Sequence, residues 1–144
     1  AEETLHTTRE LNISFVAYSP LGRGLLTGAV ENTDSLAETD ARRRHPRFAA
    51  DNLGHNMALV HRIEEIARRK NCTPGQLALA WLLAQGEDIV PIPGTKRKER
   101  LLENIGALAI DLSDNDLAQI SEAIPSGAAA GLRYPEAQMK SVYL

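Results

Sequence analysis

Two short runs, Ile13-Ser14-Phe15-Val16-Ala17-Tyr18 and Ile89-Val90-Pro91-Ile92-Pro93, are almost continuously apolar and rich in β-branched and aromatic residues. A strand with one face in water alternates apolar and polar residues, whereas a near-continuous apolar run reads as a strand buried on both faces of a parallel sheet. About seventy residues carrying two helical patterns separate the runs, so a crossover joins them and not a hairpin. Two strands alone do not make an independently stable parallel sheet. The pair is therefore expected to belong to a larger α/β fold whose remaining strands lie upstream. A helix over 2–11, with Leu5, Thr8 and Leu11 at helical spacing, feeds the first strand.

Punctuation between the runs is clear. Ser19-Pro20-Leu21-Gly22-Arg23-Gly24 stops the first strand, and a polar loop of about thirty residues continues to Pro46. Loops of that length are uncommon unless functional or disordered. A helix over 52–70 sets an apolar stripe of Leu53, Met57, Val60, Ile63 and Ala67 against Arg62, Glu65, Arg68 and Arg69. Thr73-Pro74-Gly75-Gln76 opens the next helix: Thr73 caps, Pro74 suits the first helical position, and Gln76 completes a capping box. Gly86 marks its C-terminal cap. After the second strand, Gly94-Thr95-Lys96 turns into a helix over 97–107, and Ser113 caps another over 114–123. Residues 1–124 read as one segment without repeat or boundary, and 125–144 as an irregular tail.

Composition narrows the function classes. The 144 residues are 43% hydrophobic, enough for one core. A net charge of −3 and 4% aromatic residues argue against nucleic acid and anionic membranes as partners. The single cysteine, Cys72, excludes an internal disulfide and a Cys-based zinc cage, while His6, His55 and His61 lack partners at metal spacing, so no metal is expected. No run approaches the roughly 20 apolar residues of a membrane span, and the opening AEETLHTTREL has no signal-peptide core. A soluble, cytoplasmic protein is the expectation.

Chemistry is expected where the two strands end, because ligands of parallel α/β folds bind at the C-terminal strand ends. Tyr18 leaves the first strand where its ring can meet a flat heterocycle, and Ser19 with exposed amides around Gly22 and Gly24 can approach a phosphate closely. The alternative is a core-edge tyrosine followed by glycines that merely turn the chain. Pro93-Gly94-Thr95-Lys96-Arg97-Lys98-Glu99-Arg100 carries the stronger signal. Cations in the first turn of a helix oppose its dipole, so helix stability does not explain them, whereas a bound phosphate does. Arg100 offers a planar fork, and Asn104, one turn on, an amide suited to an adenine edge. The alternative is a solvated basic turn. Arg42-Arg43-Arg44-His45-Pro46-Arg47 reads as a solvated charge run or as a patch folding over an anion.

FVAYSPLGRGLLTG, RRRHPRF leading into NLGHNMALVHRIEEIARR, TPGQLALAWLLAQ and IVPIPGTKRKERLLENIGAL resemble, in this order, the C-terminal half of aldo-keto reductases. The likeness is greatest to the bacterial and plant branch that also resembles voltage-gated potassium-channel β-subunits. It implies an α/β fold, the last two strands and helices of a (β/α)8 barrel, incomplete on its own. It further implies NADP(H): Tyr18 stacking on the nicotinamide; Ser19, Pro20, Leu21, Gly22 and Arg23 over the pyrophosphate; Gly94, Thr95 and Lys96 gripping the 2′-phosphate. Arg100 falls beside the adenosine phosphate, with Glu103 and Asn104 facing adenine and ribose. The family's catalytic Asp, Tyr, Lys and His come from earlier strands and match no position here, so the chain is expected to be inactive alone; Tyr134 and Tyr143 lie in the tail, outside any matching motif. The implied function is reduction of a small carbonyl substrate by the parent enzyme. The implied partners are the N-terminal half of the barrel and a second copy in a homo-oligomer. The alternatives are a non-catalytic NADP(H)-sensing subunit and an inactive fragment.

Overall fold

The computed structural model describes residues 2–142. Strands β1 (Phe15–Tyr18) and β2 (Ile89–Ile92) pair in parallel, with Phe15 opposite Ile89 and Tyr18 opposite Ile92. The helices are α1 (Glu2–Glu10), α2 (Ala50–Arg69), α3 (Pro74–Leu83), α4 (Lys98–Ile105), α5 (Asp114–Ala123) and the short α6 (Glu136–Met139). The crossover between the strands therefore carries α2 and α3, as the spacing of the two apolar runs requires.

Local signals account for the helix starts. The Thr73 hydroxyl accepts the Gln76 N–H while the Gln76 side chain accepts the Thr73 N–H, which satisfies two of the donors that a helix start leaves unpaired. Ser113 and Asp116 repeat this at α5. α3 ends at Leu83 with Ala84 as its cap, three residues ahead of the turn where Gly86 donates to the Leu83 carbonyl.

All five residues of the α2 stripe are buried. Its N-terminal half packs Leu53, Met57 and Val60 against Leu25, Val30, Leu36 and Phe48. Its C-terminal half packs Ile63, Ile66 and Ala67 against Leu77 of α3 and Ile120 of α5. Each fully buried side chain of this kind contributes about 1.5–3 kcal/mol. The first cluster changes the reading of residues 19–48, which are not an unstructured loop. Four 3₁₀ turns, Gly22–Thr27, Thr33–Ser35, Ala41–Arg44 and Pro46–Phe48, order the segment, which is pinned by Leu25 and Phe48 within the first and last turns and by Val30 and Leu36 between them.

The strands also differ from expectation. Ala17 and Ile89 are buried on the face where α3 lies. Val16, Tyr18, Val90 and Ile92 share the opposite face and stay 54%, 49%, 45% and 50% exposed. Burial on both faces is thus not met within this chain: helices cover one face, and on the other Val16, Val90 and Ile92 stay about half exposed.

Candidate functional site

Parallel pairing puts the ends of β1 and β2 side by side, since neighbouring strands lie about 4.8 Å apart. The Ser19–Gly24 loop and the Gly94–Lys96 turn therefore leave the sheet from one edge.

The β1 loop is tightly wound. Ser19, Gly22, Arg23 and Gly24 all have positive φ, at 49°, 58°, 59° and 90°. Gly22 donates its N–H to the Ser19 carbonyl (2.9 Å) and Gly24 to the Leu21 carbonyl (3.0 Å). These two amides are spent inside the loop, so the expectation that they lie exposed for a phosphate is corrected. The glycines serve the winding itself: at Gly24 a Cβ would stand 3.4 Å from the Arg42 guanidinium as well as in a left-handed conformation. Arg42 in turn donates to the Arg23 carbonyl (3.4 Å) and pairs with Asp40 at 2.7 Å. That hydrogen bond holds the Asp40 carboxyl down to about 2.

Tyr18 stands at the strand end, half exposed as expected, and is met there by the tail. Arg133 Nη1 donates to the Tyr18 hydroxyl at 2.9 Å. The neighbouring Tyr134, and then Arg133, hold the Tyr18 phenol below its ordinary range, while Tyr18 pushes Tyr134 up. The Arg23 guanidinium lies 5.0 Å above the Tyr134 ring and reaches the Arg133 carbonyl at 3.5 Å. Asn56 of α2 fastens this segment: its amide donates to the carbonyls of Ala130 (3.0 Å) and Arg47 (2.9 Å) and accepts the Ala130 N–H (2.8 Å). Sequence reasoning missed Arg133 and Tyr134. One signal was present, because Asn56 falls on the buried stripe between Leu53 and Met57, where a polar side chain must find partners. Tyr143 lies outside the described residues.

At the end of β2, Gly94, Thr95 and Lys96 are exposed. The Thr95 hydroxyl accepts the Arg97 N–H at 3.2 Å, and α4 begins at Lys98 with Arg97 as its cap. Lys96 and Arg97 therefore precede the helix and only Lys98 opens it, one residue later than the sequence suggested. Among the described residues, none of these three cations pairs with a carboxylate. Arg100 does, donating to Glu103 at 3.0 Å, while the Glu103 carbonyl accepts from Gln76 (2.9 Å) and so ties α4 to the α3 cap. Asn104 is partly exposed.

A parallel strand pair backed by helices, with its glycine-bearing and cationic loops gathered at the C-terminal strand ends, defines a piece of an α/β fold of the class that binds ligands at that end. The chain matches the Aldo/keto reductase family over residues 1–125, and it belongs to that family. Aldo-keto reductase yakc [NADP(+)] of Schizosaccharomyces pombe is 51% identical over 94% of this chain and 40% of its own length. Probable aldo-keto reductase 1 of Glycine max is 52% identical over 92% and 38%. The chain thus spans about 40% of the curated relatives it matches. Among solved structures, the thermostable aldo-keto reductase Tm1743, in complex with the inhibitor epalrestat, superposes with a TM-score of 0.56 at 29% identity, over 83% of this chain and 32% of its own. Glycerol dehydrogenase AKR11B4 of Gluconobacter oxydans does so with a TM-score of 0.73 at 22% identity, over 83% and 36%, which bears on fold alone. The two strands and their helices are part of a (β/α)8 barrel.

Proposed function

We propose that this chain supplies the coenzyme-binding side of an NADPH-dependent aldo-keto reductase that converts an aldehyde or ketone to an alcohol. The observation that carries the reading is the register: Tyr18 opposite Ile92 sets the aromatic and the cationic turn at one edge of the sheet. The donor set fits a nucleotide with a 2′-phosphate. Lys96, Arg97 and Lys98 carry no partner carboxylate among the described residues, and open space surrounds Gly94, where a Cβ would meet nothing within 4 Å. Arg100 contributes through its outer face while Glu103 holds it, and Asn104 offers its amide to the base. Tyr18 presents its ring to the nicotinamide, and the wound Ser19–Arg23 segment sets the path of the pyrophosphate. When bound, the reduced nicotinamide supplies the hydride. The proton donor belongs to strands that this chain does not match. The other barrel strands are the partner that covers Val16, Val90 and Ile92. Among the described residues no helix is long and apolar enough to cross a membrane, and a cytoplasmic location is proposed on the family likeness.

Fluorescence titration of NADPH and NADH against the protein and its Lys96→Ala/Arg100→Ala variant tests this. Loss of two charge-assisted contacts, about 1.5–3 kcal/mol each, should weaken NADPH at least tenfold more than NADH. Equal weakening of both nucleotides refutes recognition of the 2′-phosphate.

A further inference from the structure

α4 carries Arg100, yet this chain gives the helix little to rest on. None of its side chains is buried, and Leu101, Leu102 and Ile105 stay about half exposed. Among the described residues, one hydrogen bond reaches α4 from beyond the helix and its flanking turns: Gln76 Nε2 donates to the Glu103 carbonyl at 2.9 Å. That carbonyl lies in the last turn, where helix carbonyls run out of partners along the chain. The oxygen of the same amide is also engaged, since Gln76 Oε1 accepts the Thr73 N–H at 3.0 Å in the α3 capping box. One side chain thus fastens the start of α3 to α4.

Gly106 makes room for it. Its φ of −57° is ordinary helix, which any residue adopts, so the backbone does not require glycine there. A Cβ at that position would instead stand 2.5 Å from Gln76 Nε2. Next to Gln76, Gly75 lies against the β1 loop, where a Cβ would be 3.7 Å from a Leu21 methyl. The start of α3 therefore touches both segments that leave the strand ends.

We propose that Gln76 is a positioning residue for the coenzyme's 2′-phosphate: through the Glu103 carbonyl it sets α4, and Arg100 with it, at a fixed distance from the β1 loop. The proposal rests on the coenzyme reading above and adds to it a residue that touches no part of the nucleotide. Glu103 holds Arg100 Nη1 at 3.0 Å, so a shift of Glu103 carries the guanidinium with it. Recognition of a phosphate needs its donors placed to within about 0.5 Å. A helix free to slide therefore loses the added phosphate before it loses the rest of the dinucleotide.

Fluorescence titration of NADPH and NADH against the protein tests this with two substitutions that break the same contact differently. Gln76→Glu keeps the acceptor for the Thr73 N–H, and so the cap, but loses the donor to Glu103. Gly106→Ala adds no charge and pushes the Gln76 amide away. Each should weaken NADPH about fivefold relative to NADH, the net contribution of one hydrogen bond, and the double variant should lose little more because both remove one contact. Thr73→Ala leaves both bonds of the Gln76 amide and should keep the parent's discrimination while lowering stability. Equal losses for the two nucleotides, a preference unchanged in both variants, or a loss in only one of them overturns the assignment; a loss in Gln76→Glu alone is an effect of charge. A parent without preference for NADPH refutes the coenzyme reading and the role of Gln76 with it. A preference lost in Lys96→Ala/Arg100→Ala but kept in both variants refutes only the role of Gln76.

Discussion

Replacing Asn56 with Ala isolates what holds the tail over Tyr18. Asn56 is 2% exposed and makes three hydrogen bonds, two to Ala130 and one to the Arg47 carbonyl. Each contributes about 1 kcal/mol net, and two of the three run to the tail, so the substitution removes roughly 2 kcal/mol from the folded-back arrangement. The α2 core does not have to bear that loss. Residues 125–135 can lift away and rehydrate their backbone groups, so the cost appears as local opening, favoured roughly thirtyfold over the parent at about 1.4 kcal/mol per decade. Native-state hydrogen exchange should show the Ala130 amide losing protection by about that factor, with α2 amides near Val60 and Ile63 changed far less. Tyrosinate titration gives an independent reading: once Tyr134 and Arg133 leave, the Tyr18 phenol should rise toward its ordinary range. Asn56→Asp retains the acceptor for the Ala130 N–H but loses both donations, and should fall between the two. Unchanged exchange at Ala130 together with an unchanged phenol would refute the assignment of Asn56 as the fastener.

Three further outcomes follow from single contacts. Thr73→Ala removes one half of the α3 capping box and should cost about 1 kcal/mol in urea denaturation, whereas Thr73→Ser should cost little. Arg9 joins α1 to the Asp88 carboxylate (2.9 Å) and the Gln85 carbonyl (2.7 Å), so Arg9→Ala should speed amide exchange within Glu2–Glu10 while leaving α3 amides alone. The Asp116 carboxyl is held down to about 2, first by the Ser113 hydroxyl and then by Lys70. A carboxyl lowered on folding binds fewer protons in the folded state, so its stabilisation is complete above the unfolded value near 3.8 and disappears as pH falls through 2. Asp116→Asn should therefore flatten the acid limb of stability between about pH 4 and 2, and an unaltered limb would show that Asp116 is not among its sources.

What could be read from the chain divides by the distance over which each signal acts. The capping box at Thr73, the cap at Ser113, the stripe on α2 and the parallel crossover follow from residues within a turn or from strand spacing, and the structure has all of them. The order of residues 19–48 follows no period: Leu25, Val30, Leu36 and Phe48 are irregularly spaced, and only their shared contact with α2 makes them a cluster. The place of Tyr18 at the strand end was legible, but its contact with Arg133 spans 115 positions and leaves no local mark. Ladder geometry was likewise visible at β1 and β2, while the use of the Gly22 and Gly24 amides was not, because winding a loop and presenting donors require the same residue.

The sheet shows why such a disagreement carries information. Composition made both strands apolar on both faces, and the fold covers one of them with α3, leaving Val16, Val90 and Ile92 about half in water. An unpaired polar side chain can turn to solvent, but an apolar residue at the centre of a strand cannot change face without shifting the register of every neighbour. Here the register is fixed by Ala17 and Ile89 against the helices, so the second apolar face is a constraint that the helices of this chain cannot relieve. That face opens beside the edge where Tyr18 and the Gly94–Lys96 turn emerge. Whatever covers it, which we propose to be the other strands of the barrel, is thereby placed within reach of both loops. On that proposal, the apolar pattern that most constrains the fold is also what would bring a proton donor beside both loops.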